Sequence, residues 1–161
     1  MLCHRAPLAA VLLYSVCACR STPSRERGEA QIQSAVLQTF DSLTHAIRSL
    51  NVEQMLSFYS TDSSIVRALD GRVIAGRHAV ERDFREGFRE VRSIDRLDMV
   101  ARHAAVLGPE SAVLTVELDE AFTDKAGRVA KVRATWTSAW QLQMGHWRIV
   151  QDAAVHTPAG Q

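Results

Sequence analysis

The second half of this chain offers almost nothing that reads as helix. From Ile94 onward it runs as four segments: Ile94 to Leu107, Ala112 to Phe122, Val129 to Gln143 and Trp147 to Val155. Gly108-Pro109, Asp124 to Gly127 and Met144-Gly145-His146 separate them. The last three segments are rich in Val, Thr, Trp and Ile, and short turns join them, which predicts an antiparallel meander. A sheet of this length has a face to bury, and the cover has to come from the first half.

The first half supplies helices. Between Glu29 and Leu50, Ile32, Val36, Phe40, Leu43, Ile47 and Leu50 recur at three- and four-residue steps. That spacing predicts an amphipathic helix with one apolar stripe. Asn51, with Gln54 three residues on, forms a capping box that starts a short second helix through Tyr59. Asp70-Gly71 between Ile65–Leu69 and Arg72–Ala75 predicts a hairpin, since a type I′ turn needs positive φ at both central positions. Arg77 to Val91 reads as a third helix, with Val80, Phe84, Phe88 and Val91 on one stripe and a solvated face of Arg82, Arg85, Glu86, Arg89 and Glu90. The order α-α-β-β-α-β-β-β-β points to an α+β domain with its helices on one sheet face.

The N-terminus reads differently. Arg5 precedes Ala6 to Val16, an apolar run too short to span a bilayer, and small residues follow it. This predicts a secretion signal over residues 1–19, a polar linker over 20–28 and a folded domain over 29–158. All three cysteines, Cys3, Cys17 and Cys19, fall in the signal, which leaves the domain without thiol or disulfide chemistry. Val16-Cys17-Ala18-Cys19 resembles a bacterial lipobox, which implies cleavage before Cys19 and lipid attachment to it. The protein is then expected in the cell envelope as an outer-membrane-anchored lipoprotein facing the periplasm, or secreted. Several acyl chains anchor stably where one is marginal.

Charge narrows the partners. Removing residues 1–19 takes away Arg5 and no acid, so the 19 basic residues fall to match the 18 acidic ones. A balanced domain lacks the cationic surplus that phosphate backbones require, so no nucleic-acid partner is expected.

The order of elements and the residues at its corners together resemble the nuclear transport factor 2-like superfamily. Within it, the chain is similar to the SnoaL-like and ketosteroid-isomerase-like branch. The carriers are Asn51 to Asp62, Asp70 to Arg77, Trp136-Thr137-Ser138-Ala139-Trp140 and Gly145 to Val150, in a resemblance covering about residues 30 to 158. It implies a cystatin-like, cone-shaped roll: a curved antiparallel sheet wrapped around a long N-terminal helix, with an apolar pocket at one end. Candidate pocket residues are Arg67, Tyr59, Leu43, Phe84, Phe88, Trp136, Trp140 and His103. Phe40 and Ile65 are further wall candidates. A homodimer through the sheet's convex face is a further expectation.

Fold likeness does not fix an activity, because such folds host enzymes, carriers and binding modules. Ketosteroid isomerases use an Asp base and a Tyr donor in a low-dielectric pocket. The resemblance aligns the base with Arg67 and the Tyr with Leu43, and neither side chain can do that work. No G-x-S-x-G, H-E-x-x-H or P-loop is present, the six histidines lack metal-ligand spacing, and no metal or cofactor is expected. Asp62, Glu117, Asp119, Glu120 and Asp152 are acid–base candidates that sequence does not pair. His103 and His156 are the histidines with a route to the pocket.

The reading is therefore a lipid-anchored module binding a small, partly apolar ligand or a protein partner. The alternatives are a pocket enzyme of isomerase, dehydratase or hydrolase type, and a structural dimerisation module. Arg67, if it points inward, is either paired with a protein carboxylate or reserved for an anionic ligand. An open cavity with His103 or a carboxylate within hydrogen-bond reach of another titratable group would favour the enzyme.

Overall fold

The structure is a computed structural model that describes residues 23–159. The expected signal, including Cys3, Cys17 and the attachment residue Cys19, lies outside the described residues. The elements run α1 Pro23–Arg48, α2 Val52–Leu56, β1 Val66–Leu69, β2 Arg72–Ala75, α3 Arg77–Glu90, β3 Val91–Gly108, β4 Ser111–Asp124, β5 Val129–Gln143 and β6 His146–Pro158.

Helix α1 begins at Pro23, six residues earlier than periodicity indicated, so the end of the expected linker is helical. Proline suits a first helical turn, where its missing N–H is not needed. Of the expected stripe, Val36, Phe40 and Leu43 are fully buried and Ile32 and Ile47 pack at its edges; Ala46, outside the stripe, is fully buried as well. Leu50 closes the helix in a left-handed conformation, φ 52°. Asn51 then caps α2, its side chain accepting from the Gln54 backbone N–H at 3.0 Å. This helix ends at Leu56, short of the expected Tyr59. The following residues leave the helix to pair with β6: Ser60 N–H donates to Ile149 O, and Ile149 N–H to Phe58 O, each at 2.8 Å. That bridge fixes Tyr59 against the sheet.

The Asp70-Gly71 turn has φ of 48° and 81°, as a type I′ hairpin requires. Helix α3 carries the chain from this hairpin to the far side of the sheet. The strand order is β2-β1-β6-β5-β4-β3. The sheet is mixed, not wholly antiparallel as expected. The meander β3 to β6 is antiparallel, but β1 and β6 are parallel, with Arg67 opposite Asp152 in register. Parallel neighbours need a long crossover, and α3 plus the meander supply it.

Strand β3 follows α3 without a break and carries four register shifts against β4. Such bulges bend a strand and re-aim its side chains. Leu97 and Met99 pack on the core before the Met99/Ala101 shift, whereas Ala104 does so after it. The inward parity switches from odd to even positions. Curled in this way, the sheet buries Leu114, Val116, Trp140 and Ile149 in the core it shares with α1, and Ile65, just before β1, joins them, all at 1% exposure or less. Side chains of this kind contribute roughly 1.5–3 kcal/mol each on full burial.

Candidate functional site

Alternation along the strands sets the concave face at the open end. On β6 it presents Asp152, Ala154 and His156; on β5, Trp136, Ala134 and Val132; on β1, Arg67 and Leu69. Ala154 and Ala134 are the small positions in the middle of this floor. Trp136 pairs with Ala154, and Ala134 with His156, so the two alanines are neighbours. With α3 above, presenting Phe84 and Phe88, they leave a cavity of about 790 Å³. Its wall is mainly apolar, with Arg67 at the inner end and Asp70, Glu120 and His156 towards the other. Two rungs of β6, about 13 Å, separate Asp152 from His156.

At the inner end Asp152 is 2% exposed and sits behind Arg67. Its Oδ2 accepts from the Tyr59 hydroxyl at 3.0 Å and from Trp136 Nε1 at 3.1 Å. Arg67 Nη1 lies 3.9 Å from the same oxygen, and Arg67 Nε lies 3.7 Å from Asp83 Oδ2. The guanidinium also stacks on Phe84, its Cζ 3.8 Å from the ring centre. Arg72 shares Asp83 at 3.8 Å. Arg67 is thus suspended between two carboxylates and hydrogen-bonded to neither. Its Nε and Nη1, with Asp152 Oδ1, are buried side-chain atoms without a hydrogen-bond partner among the described residues. Such atoms cost roughly 1–3 kcal/mol each. Burial pushes the Asp152 carboxyl above the usual range, against the attraction of Arg67 and the hydrogen bonds of Tyr59 and Trp136. Burial also pushes the Tyr59 hydroxyl well up, and the Asp152 charge adds to it.

Towards the mouth, the turn residue Asp70 holds His156. Asp70 Oδ1 accepts the His156 backbone N–H at 2.8 Å, and both carboxylate oxygens lie 3.1 Å from His156 Nδ1. Partial burial works to raise the Asp70 carboxyl, but these hydrogen bonds outweigh it and hold it below the usual range. An ionised acceptor places the ring hydrogen on Nδ1 and leaves Nε2 as the basic nitrogen. Glu120, on β4, lines the same cavity. Burial raises its carboxyl, and the charge of His156 opposes the shift. The arrangement has a base held in one tautomer and a carboxyl inclined to keep its proton, both lining one apolar space.

The sequence candidates divide. Arg67, Phe84, Phe88 and Trp136 line the cavity. Tyr59 lies one layer behind it, acting on Asp152. Leu43 and Trp140 are core residues, at 0% and 1% exposure, as are Phe40 and Ile65. The Trp140 indole is satisfied by Ser138 Oγ at 2.8 Å. His103 was expected to have access to the pocket, and the structure corrects this: it lies exposed on β3, on the outward parity that follows the Met99/Ala101 shift. Glu117 and Asp119 pair with Arg133 at 3.3 and 3.0 Å, and the exposed Asp62 accepts from the Ser64 backbone. Asp83 and Asp70 were not singled out from sequence. In sequence Asp70 reads as a turn former, and nothing local indicates that its carboxylate reaches His156, near the other end of the chain.

Comparison with known proteins bears on the whole cone. Residues 36–154 match the SnoaL-like domain. A protein of Novosphingobium aromaticivorans, provisionally assigned as a scytalone dehydratase, superposes with a TM-score of 0.73 at 10% identity, covering 84% of this chain and 98% of its own. A provisionally assigned dehydratase of the NTF2-like family from Streptomyces avermitilis superposes at 0.69 with 16% identity, covering 86% and 100%. A provisionally assigned calcium/calmodulin-dependent protein kinase II association domain from Xanthomonas campestris superposes at 0.65 with 21% identity, covering 92% and 99%. At these identities the likeness is one of fold. No curated protein matches the chain.

Proposed function

Because the chain belongs to the SnoaL-like domain family, a fold that houses enzymes and binding modules alike, we propose that its cavity takes a small, partly apolar substrate and moves a proton on it. The reaction class is isomerisation or dehydration. One observation carries the reading: the Asp70–His156 pair lines an apolar cavity that it shares with Glu120. Nε2 of His156 accepts a proton from a carbon or oxygen acid, Asp70 stabilises the imidazolium formed, and Glu120 returns a proton to the other end of the reacting unit. The dehydratase assignments of two structural neighbours are in keeping with this class.

The test uses 2-tetralone, an apolar ketone with an acidic methylene, and follows its C1–H exchange in D₂O by NMR. The protein should accelerate exchange, and His156→Gln should abolish the acceleration. Binding of 2-tetralone without any acceleration would leave the second reading, a non-catalytic carrier. That alternative is supported by the family resemblance, which aligns the ketosteroid-isomerase base with Arg67 and its tyrosine with Leu43, a core residue at 0% exposure.

We further propose, on the apolar run Ala6 to Val16 and the lipobox-like Val16-Cys17-Ala18-Cys19, that the domain is tethered in the cell envelope by lipid on Cys19.

A further inference from the structure

We infer that Arg67 and Asp152 form a proton-coupled subsite for the carboxylic acid group of a ligand: the carboxylate docks on the guanidinium, and Asp152 takes up a proton as it does so. The inference rests on the reading of the cavity as a small-molecule site, but not on catalysis there.

Arg67 is one cation between two carboxylates, 3.9 Å from Asp152 and 3.7 Å from Asp83. Its Nε and Nη1 are buried towards these acids, so Nη2 is the nitrogen left for an occupant of the cavity. A third anion arriving there would leave three negative charges around two cations, Arg67 and the Arg72 that shares Asp83 with it. Asp152 is the group able to yield. It is 2% exposed, and the groups acting on it come from four separate segments. Tyr59, after α2, and Trp136, on β5, donate to it; Arg67, on β1, attracts its charge; Asp83, on α3, repels it.

Once Arg67 is drawn to a ligand, the main attraction holding Asp152 ionised in a desolvated place weakens, and the neutral form is favoured. The geometry provides for that form. Oδ2 already accepts two hydrogen bonds, whereas Oδ1 has no partner, so Oδ1 is the oxygen free to carry the hydrogen. A carboxylic acid can therefore enter an apolar cavity neutral, ionise on Arg67 and leave its proton on Asp152. No bond other than O–H is made or broken.

The experiment compares 2-naphthoic acid with its neutral isostere 2-naphthamide by calorimetry in buffers of different ionisation enthalpy, between pH 5 and 8. The acid should bind as naphthoate with net uptake of close to one proton in part of this range, and the amide with none. Asp152→Asn should abolish the uptake, Glu117→Gln, at a residue that pairs with Arg133 outside the cavity, should keep it, and Arg67→Gln should reduce the preference for acid over amide about tenfold. Naphthoate binding without proton uptake across the range, or equal uptake by Asp152→Asn, overturns the inference. If neither compound binds, the small-molecule reading itself fails. The coupling is then decided in the ligand-free protein, where Arg67→Gln should raise the titration of the Asp152 carboxyl ¹³C resonance, and an unmoved titration sinks it.

Discussion

Asp70 grips His156 twice, through the backbone N–H at 2.8 Å and through ring Nδ1 at 3.1 Å. The second contact orients the ring and the first ties the hairpin to the end of β6. Asp70→Asn preserves a residue tolerant of positive φ but removes the charge that stabilises an imidazolium. Exchange of 2-tetralone should fall about 100-fold, with thermal stability little changed. A variant as fast as the parent would remove the pair from the chemistry.

The alanine floor makes the cavity. Ala154→Phe places a ring in open space, so N-phenyl-1-naphthylamine fluorescence enhancement should be lost while the fold persists. Leu114→Ala, in the solid part of the core, should do the reverse, costing about 2–5 kcal/mol in urea denaturation and sparing probe binding. Retained probe binding in Ala154→Phe would place the ligand elsewhere.

Asp152 should leave a mark on stability against pH. Its folded-state pKa is raised, so the folded chain holds this proton to higher pH than the unfolded chain does. Its contribution is complete below the ordinary Asp value of about 4 and is lost as pH rises through the folded value. Relative to Asp152→Asn, the parent should lose stability over that rise in urea melts. Parallel curves would show that Asp152 is not perturbed.

Tyr59→Phe removes one of two donors to Asp152 Oδ2. The loss should be about 1–3 kcal/mol at neutral pH and smaller in acid, where Asp152 is neutral in both proteins. A loss independent of pH would assign Tyr59 a packing role alone.

Cys19→Ala should move the protein from the membrane to the soluble fraction and abolish incorporation of labelled palmitate. Continued labelling would refute Cys19 as the attachment residue.

Much of the fold was legible because local chemistry announces it. The α1 stripe, the Asn51 cap, the Asp70-Gly71 turn and the meander are written within a few residues of themselves. What could not be read was non-local. Parallel pairing of β1 with β6 depends on where α3 delivers the chain, and His103 faces outward because of a bulge that composition does not mark. The cavity is lined by Arg67, Phe84, Phe88 and Trp136, which the family resemblance named. It did not name Asp83 or Asp70. Asp152, an unassigned acid in the sequence, acquires its role only through three partners on separate segments.

The parallel β1–β6 pair also has a consequence in time. Arg67 and Asp152 are register partners, yet more than half the chain separates them. Contacts so distant in sequence form late, because the intervening loop must close before they repay its entropy. The hairpins of the meander join near neighbours, but the inner end of the cavity needs β6, the last strand, docked on β1 across the longest separation in the sheet. A chain truncated before β6 would lose its site entirely, since Asp152 and His156 both lie on that strand.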